Sequence, residues 1–342
     1  MDGEVSNNII AFFEIKDWEK EYLSQKIPNQ KILFCPDTLN SNTCSTHKDA
    51  NIISVFINSK VDKSLIDQFP NLKLIATRST GFDHIDVKYC KEKAIIVTNV
   101  PYYGENTVAE HAMALLLGLT RRLPESVERV KDGKFSPEGL TGVDIKGKTV
   151  GVIGTGHIGK KFIRMVKGFE PKIIAFDKFP DEEFAKTEGF EYVNFDFLLT
   201  SSDIISLHAP LNDDTKHMIN KDNIHSLKEG VIIINTARGG LIETDALFDA
   251  IKMGRLGGAG IDTLEEEGFL TEELELLHKD TPHEYDYKTA LENHMMAYLP
   301  NVIVTPHNAF NSKEALNRIL DTTVENIECF VKGECKNEVE VK

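Results

Sequence analysis

The feature that most constrains the fold is a glycine-rich segment between two apolar runs. It reads TVGVIGTGHIGKKFIRMVKGF and continues into KIIAFD, from Thr149 to Asp177. The first run predicts a strand, the next turn carries Gly154, Gly156 and Gly159, and an amphipathic helix and a second strand follow. Such a strand, turn, helix and strand unit is typical of a parallel sheet with crossover helices.

Each glycine of this turn has a separate role. Gly154 allows the tight turn, Gly156 lets the backbone approach a pyrophosphate, and Gly159 lets the helix pack closely on the strand. His157 and Ile158 lie at the start of the helix, where backbone N–H groups without helical partners favour a phosphate. The segment therefore predicts a dinucleotide site.

Asp177 identifies the dinucleotide. It ends the second strand about twenty residues after the glycines, the place of the acid that binds the ribose 2′-OH. A carboxylate there repels a 2′-phosphate, and Lys178, not an arginine, follows it. We therefore expect NAD and not NADP. A glycine pattern alone arises by chance in many sequences, and the strand, helix and acid around it make this one specific.

Short β-branched runs recur along the chain, separated by stretches of helical length. Strands that alternate with helices predict parallel sheets, and there are enough strands for two. The fold class we expect is α/β, with two Rossmann-like or flavodoxin-like doubly wound domains and a cleft between them. The predicted strands are Ile9–Phe13, Ile52–Ile57, Leu72–Ala76, Ile95–Thr98, Thr149–Ile153, Ile173–Phe176, Ile204–Leu207, Val231–Ile234, Gly257–Ile261 and Val302–Val304.

Two helical patterns set the expected domain boundaries. A helix from Asn106 to Leu119 follows the first set of strands, and another from Lys313 to Phe330 follows the last. We expect a substrate domain of residues 1–105 completed by 311–342, and an NAD domain of residues 106–310. We interpret residues 123–148 as a polar, glycine-rich loop, and the acidic stretch 265–300 as a segment without strands.

Charge and composition exclude several classes of partner. The net charge is −15, with no block of basic residues, so a nucleic acid or an anionic membrane surface is not expected. No apolar run approaches the ~20 residues that span a bilayer. The five cysteines show no C-x-x-C spacing, which favours neither disulfides nor zinc, and the acidic N-terminus is unlike a signal peptide. We expect a cytoplasmic protein without a bound metal.

Three further strands are each followed by polar residues that suit hydride transfer to a ketone. NTARGG carries Arg238, whose planar fork binds a carboxylate. TPHNA carries His307, which can exchange a proton near neutral pH, and the acids after Asp262 could raise the pKa of that histidine. Taken singly, each has a plainer interpretation as a surface ion pair, a loop histidine or a solvated acid.

The sequence resembles the D-isomer-specific 2-hydroxyacid dehydrogenase family, most closely its D-lactate dehydrogenase branch. The resemblance runs from about Ile52 to His307. It depends on RSTGFDHID, NVPYYGENTVAEHA, VIGTGHIG, SLHAPLNDDTKHMIN, NTARGG, GIDTLEEE and TPHNA.

The resemblance implies a role for each matching residue. Arg238 would bind the substrate and polarise its carbonyl, His307 would be the acid/base, and Glu267, five residues after Asp262, would pair with His307. The cofactor would be NAD and the substrate a small 2-oxo or 2-hydroxy acid. The other implied cofactor contacts are His208, Pro210, Thr215, Thr236, Ala237 and Asp262, and the implied substrate contacts are Ser79, Thr80, Gly81, Tyr103 and Phe56.

Other functions on the same scaffold remain open. Glyoxylate or hydroxypyruvate reduction is the alternative within the family, and an NAD-sensing corepressor is the alternative from another class. The chain departs from the lactate-type pattern at Asn311, where an aromatic residue is usual, and in a long insertion at 268–300. Family members are commonly dimers, and we expect a homodimer that uses the helix after Asn106 and the loop that follows it.

Three histidines in the acidic stretch, His278, His283 and His294, could suggest a metal site. Their spacing fits no helical ligand pair, and we interpret them as residues of a solvated loop.

Overall fold

The computed structural model describes residues 8–28, 30–265 and 287–340. The chain divides into two compact units, Met1–Tyr103 with Ser312–Lys342, and Gly104–Asn311. Each unit has its own parallel sheet covered by helices, so the predicted α/β class with two parallel-sheet domains is confirmed.

In the first unit, five described strands form one parallel sheet in the order β2-β1-β3-β4-β5. This is the flavodoxin-like order, in which the chain reverses direction across the sheet between β1 and β3. The strands are Ile9–Phe12 (β1), Lys31–Phe34 (β2), Ile52–Val55 (β3), Leu74–Thr77 (β4) and Ile96–Thr98 (β5). The helices between them are Asp17–Lys26 (α1), Ser41–Ser45 (α2), Lys63–Ile66 (α3) and Val87–Glu92 (α4).

The central strands of this sheet are buried on both faces, as continuous apolar runs in parallel sheets require. One face packs under α3 and α4 around Ile53 and Ile75. The other face, with Phe12 and Leu74, packs against Leu320 and Ile327 of the final helix of the chain, Lys313–Val331. The last helix therefore completes the core of the first unit.

The sequence analysis missed β2. The strand lies at the edge of the sheet, and none of its four side chains is fully buried. A short edge strand needs neither a continuous apolar run nor strict alternation, which leaves a weak sequence signal.

In the second unit, seven described strands form a parallel sheet in the order β12-β11-β10-β9-β6-β7-β8. The strand order reverses between β6 and β9, which is where an open α/β sheet binds its ligand. The strands are Thr149–Ile153 (β6), Lys172–Phe176 (β7), Glu191–Tyr192 (β8), Ile204–Leu207 (β9), Val231–Asn235 (β10), Leu256–Ile261 (β11) and Val302–Val304 (β12). Of these, only the two-residue β8 was absent from the predicted set.

Seven described helices accompany this sheet. Two of them, α5 and α7, pack beside one another on one face, where the buried residues Leu116 and Phe162 belong to one core cluster. The helices are Glu105–Thr120 (α5), Leu123–Lys131 (α6), His157–Lys167 (α7), Glu182–Glu188 (α8), Phe195–Ser201 (α9), Thr244–Lys252 (α10) and Tyr287–Ala297 (α11); the final helix of the chain, Lys313–Val331, is α12.

The prediction that residues 123–148 are wholly a loop is wrong, since α6 occupies Leu123–Lys131. Pro124 lies in its first turn, where proline is tolerated, and no residue of α6 is buried. The acidic stretch is helical from Tyr287 to Ala297. Among the described residues, no helix is long and apolar enough to cross a membrane.

Candidate active site

The three glycines of the second unit meet the geometric demands placed on them. Gly154 has φ +90°, and a Cβ there would lie 2.7 Å from the backbone of His208 and Ala209. A Cβ on Gly159 would lie 2.0 Å from the carbonyl oxygen of Gly154. A Cβ on Gly156 would meet no heavy atom within 4 Å. Gly154 and Gly159 therefore allow a close approach of backbone segments, whereas Gly156 borders open space at the start of α7.

Asp177 lies directly after β7 and faces this turn. Its Oδ2 accepts hydrogen bonds from the N–H of Thr155 at 2.6 Å and from the Thr155 hydroxyl at 2.9 Å, and its Oδ1 accepts one from the N–H of Phe179 at 2.8 Å. Lys178 forms an exposed ion pair with Asp214, with Nζ and Oδ2 2.6 Å apart. The acid beside the glycine turn is thus fixed in orientation, and the neighbouring cation is engaged by an acid.

The segment after β9, which begins at His208, lies against the glycine turn. The ring of His208 packs on Phe162 at a centroid distance of 5.0 Å, and its Nε2 lies 2.9 Å from the hydroxyl of Ser206. Burial lowers the pKa of His208 to about 3, so the ring is neutral near pH 7. Thr215 closes the following loop by donating to the carbonyl of Pro210 at 2.6 Å.

These residues fit a dinucleotide. Gly156 leaves room for a phosphate above the first N–H groups of α7, at His157 and Ile158. Asp177 presents a carboxylate beside the turn, the group that could accept a ribose hydroxyl, and the buried hydroxyl of Thr236 after β10 has no hydrogen-bond partner among the described residues. The donor set therefore suits NAD along the carboxyl edge of this sheet.

Arg238 follows β10 at the same edge. Asn235, the last residue of β10, accepts the N–H of Ala237 at 3.1 Å and donates from Nδ2 to the carbonyl of Arg238 at 2.9 Å. The guanidinium of Arg238 is exposed and donates to the carbonyl of Ala237 at 2.7 Å. The backbone at Arg238 is therefore held in place while its side chain reaches solvent.

Backbone hydrogen bonds join the ends of three adjacent strands. The N–H of Asp262 donates to the carbonyl of Asn235 at 2.9 Å, and the N–H of His307 donates to the carbonyl of Asp262 at 3.0 Å. Since β10, β11 and β12 are neighbours in the sheet, the segments that carry Arg238, Asp262 and His307 lie side by side.

The carboxylate of Asp262 organises the segment around His307. It is buried, and it accepts the hydroxyl of Thr305 at 2.5 Å, the N–H of Asn308 at 2.8 Å and the N–H of Ala309 at 2.9 Å. Burial raises the pKa of Asp262, but these bonds and His111, at 3.4 Å, outweigh it, so the pKa lies below its usual value. A charged Asp262 therefore fixes the turn.

His307 itself has φ +48°, a left-handed conformation that is uncommon for residues other than glycine. Strain of this kind persists where the surroundings enforce it, often at functional sites. Its proposed partner Glu267 lies outside the described residues, as do His278 and His283. Glu265, two positions earlier, uses both carboxylate oxygens on His217 and Thr244.

In the first unit, the Ser79–Thr80–Gly81 loop follows β4. The hydroxyl of Ser79 donates to the carbonyl of Gly81 at 2.6 Å, and the hydroxyl of Thr80 donates to the carbonyl of Val100 at 2.8 Å. Arg78, just before the loop, is almost fully buried and donates to the carbonyl of Phe13 at 2.6 Å. The loop is thus rigidly supported.

Phe56 and Tyr103 also lie at the carboxyl edge of the first sheet. The N–H of Phe56, after β3, donates to the carboxylate of Glu14 at 3.2 Å. The carbonyl of Tyr103, after β5, accepts from Nε of Arg318 in α12 at 2.6 Å. The predicted substrate residues of this unit therefore follow three adjacent strands.

Sequence reasoning assigned no role to Asn235 or His111. The signal for Asn235 was available, because asparagine at the end of a strand commonly accepts the N–H two residues on. His111 lies 3.1 Å from the hydroxyl of Thr305, a contact between residues far apart in the sequence. No local sequence pattern predicts a contact between residues so far apart.

The remaining histidine of the acidic stretch, His294, lies half-buried in α11, with its ring 5.1 Å from that of Tyr298, so its interpretation as a residue of a solvated loop is wrong. Within the described ranges, no group of three or more His, Cys, Asp or Glu side chains is arranged to bind a metal ion.

Comparison with known proteins places this geometry in a class. Residues 113–309 match the family described as "D-isomer specific 2-hydroxyacid dehydrogenase, NAD binding domain". "2-hydroxyacid dehydrogenase A" of Aspergillus oryzae is 37% identical over 336 residues, which cover 96% of this chain and 94% of that protein. "Aromatic 2-oxoacid reductase" of Clostridium sporogenes is 39% identical over 308 residues, which cover 89% and 90%.

A solved structure adds the three-dimensional likeness. D-lactate dehydrogenase from Aquifex aeolicus, complexed with NAD and lactic acid, matches with a TM-score of 0.83 and 36% identity, covering 95% of this chain and 96% of that one. The fold and the glycine turn define an NAD-binding dehydrogenase. The chain belongs to the D-isomer-specific 2-hydroxyacid dehydrogenase family, whose members are NAD-dependent oxidoreductases acting on CH–OH groups.

Proposed function

We infer that this protein reduces pyruvate with NADH to D-lactate. The observation that carries the proposal is the set of backbone hydrogen bonds that brings the segments of Arg238, Asp262 and His307 together, at the same edge of the sheet as the glycine turn. The Aquifex aeolicus relative, which is named a D-lactate dehydrogenase, supports the choice of substrate. The Clostridium sporogenes relative, which is named for aromatic 2-oxo acids, supplies the alternative that the experiment must separate.

Each residue has a chemical task in this proposal. Arg238 pairs with the carboxylate of the 2-oxo acid and polarises its carbonyl, a task for a planar cation that keeps its charge. His307, as imidazolium, donates a proton to the carbonyl oxygen, and Glu267 favours that charged form. NADH, when bound, supplies the hydride that reduces C2.

The remaining residues position the reactants. His208, Pro210, Thr215, Thr236 and Ala237 contact the cofactor in this account, and Asp262 fixes the turn of His307 beside the nicotinamide. The Ser79–Gly81 loop binds the substrate carboxylate through its backbone, and Phe56 and Tyr103 contribute pocket walls. The support for the loop is its rigid hydrogen bonding to Val100 and its place after β4.

The test is a comparison of kcat/KM for pyruvate, phenylpyruvate, glyoxylate and hydroxypyruvate with NADH. Chiral chromatography then resolves the products of pyruvate, phenylpyruvate and hydroxypyruvate, which each have a stereocentre at C2. The account predicts the highest value for pyruvate and the D isomer as product. A higher kcat/KM for another of these acids would identify that acid as the substrate and would leave the family reaction unchanged. Turnover of none of them contradicts the proposal and favours an NAD-sensing binding protein.

We also propose a homodimer. Leu123, Val127 and Val130 in α6 recur at helical spacing and are 56%, 45% and 46% exposed, an apolar stripe that a second copy would cover. Light scattering after size exclusion measures the mass. Leu123→Glu with Val130→Glu should yield monomers, whereas Met253→Glu, a control at another exposed apolar side chain of this unit, should not. A monomeric wild type contradicts this part.

Cytoplasmic residence completes the proposal. All five cysteines are free, and Cys35, Cys44 and Cys90 are buried as thiols, which suits a reducing compartment. Cell fractionation tests this directly, and recovery in a secreted fraction contradicts it.

A further inference from the structure

Glu265 is bound on two sides. Its Oε1 lies 2.6 Å from Nε2 of His217, and its Oε2 accepts the N–H of Thr244 at 3.1 Å and the hydroxyl of Thr244 at 2.7 Å. Thr244 is the first residue of α10, so the carboxylate lies at the positive end of a helix dipole. The side chains of Glu265 and His217 are 20% and 34% exposed, which limits screening by solvent.

The backbone from Leu264 to the nitrogen of Glu265 lies against the turn that follows Arg238. A Cβ on Gly239 would lie 2.1 Å from the carbonyl carbon of Leu264 and 2.3 Å from the nitrogen of Glu265. Only a glycine permits that approach. Any shift of the Glu265 backbone is therefore transmitted to residue 239, which is bonded to Arg238.

His217 holds the same turn through backbone hydrogen bonds. Its N–H donates to the carbonyl of Gly240 at 2.7 Å, and the N–H of Ile219 donates to the carbonyl of Leu241 at 3.2 Å. His217 itself has φ +50°, which histidine adopts more readily than most residues. The imidazole then reaches Glu265, so a side-chain bond joins the two segments that flank residues 239–241.

We propose that His217 and Glu265 are positioning residues for Arg238: their contact fixes the 239–241 turn and, through it, the place at which the guanidinium meets the substrate. The inference rests on the proposed function, since Arg238 is the substrate-binding residue of that account. Neither side chain touches the reactants. Their effect is on geometry, where a displacement of about 1 Å costs on the order of a hundredfold in rate.

The principal variant is His217→Asn, which tolerates the positive φ but removes the imidazole that contacts Glu265. We expect kcat/KM for the 2-oxo acid to fall by about 10- to 100-fold while the dissociation constant of NADH stays within about twofold. The matched control is His225→Asn, the same change at an exposed histidine of the same unit, and it should leave both values unchanged.

Hydrogen exchange followed by mass spectrometry gives a readout that needs no turnover. In His217→Asn, the amides of residues 239–244 should exchange at least about tenfold faster than in the wild type, since their opening costs less free energy. The amides of the glycine turn at 154–159 should exchange as before. A double variant with Glu265→Ala should be no worse than Glu265→Ala alone, because both changes break one contact.

The outcomes separate cleanly. Unchanged exchange and unchanged kcat/KM in His217→Asn overturn the proposal, as does an equal loss of NADH affinity, which would mean general disruption. Should that variant not fold, Thr244→Val removes the hydroxyl contact to Glu265, and unchanged readouts there overturn the proposal. If the wild type turns over no 2-oxo acid, the proposed function fails, and the exchange comparison still decides whether His217 holds the turn.

Discussion

The backbone N–H of His307 donates a hydrogen bond to the carbonyl of Asp262 over 3.0 Å. This bond joins the ends of two neighbouring strands and holds His307 at φ +48°. The imidazole thus projects from a backbone that the buried Asp262 carboxylate also holds, through the N–H groups of Asn308 and Ala309. A residue fixed this firmly loses little entropy when it engages a substrate.

Removal of the His307 imidazole should slow the chemical step without weakening cofactor binding. His307→Ala should lower kcat by about 10²- to 10⁴-fold, because a proton donor contributes on that scale. The dissociation constant of NADH, measured by fluorescence titration, should change by less than about twofold. His225→Ala serves as control. Equal losses in kcat and in NADH affinity would remove His307 from the acid/base role.

The glycines offer a matched pair of substitutions. Gly156→Ala places a methyl in open space, so the free energy of unfolding should stay within about 1 kcal/mol while NADH binding weakens at least about tenfold. Gly159→Ala drives a methyl onto the Gly154 carbonyl and should destabilise the fold by roughly 1–3 kcal/mol. Urea unfolding and NADH titration measure both. Undiminished NADH affinity in Gly156→Ala would place the dinucleotide elsewhere.

The charge of Asp177 should determine the choice between the two nicotinamide cofactors. Asp177→Asn retains an oxygen that can accept the Thr155 N–H but loses the repulsion of a 2′-phosphate. The ratio of kcat/KM for NADPH to that for NADH should rise by at least about tenfold. Asp213→Asn, an exposed acid of the same unit, is the control. An unchanged ratio would contradict the assignment of Asp177 to the ribose.

His208 predicts a stability that depends on pH. Burial lowers its pKa in the fold to about 3, whereas the unfolded chain binds the proton near 6.5. The stabilisation of the fold by the neutral ring is therefore fully present above pH 6.5. As the pH falls toward 3, the free energy of unfolding decreases progressively, by up to about 1.4 kcal/mol per pH unit. His208→Gln should lose this dependence. Equal slopes for wild type and variant between pH 6 and 4, by urea unfolding, would contradict it.

Local patterns in the sequence were sufficient for most of the fold. The apolar runs of β3, β4, β6 and β10 are buried along their whole length or nearly so, and continuous apolar sequence is what such strands require. The edge strand β2 has no fully buried side chain and leaves a weak sequence signal, and it was missed. The helix α6 was interpreted as a loop although Leu123, Val127 and Val130 recur at helical spacing, a signal that this interpretation overlooked.

The candidate site divides in the same way. The glycine turn and Asp177 form a local unit, and the sequence motif predicts almost all of it. The contact of His217 with Glu265 joins residues 48 positions apart, and that of His111 with Thr305 spans 194. The partner of Glu265 depends on tertiary packing, and no local sequence pattern reveals it. The structure shows Glu265 committed to His217 and Thr244.

The most direct test of the central claim follows a deuterium atom. The enzyme is incubated with pyruvate and NADH carrying deuterium at C4 of the nicotinamide, and the product is resolved by chiral chromatography with mass detection. The account predicts D-lactate with one deuterium at C2 from one of the two C4-deuterated epimers of NADH. L-lactate, or D-lactate without deuterium from either epimer, would contradict it.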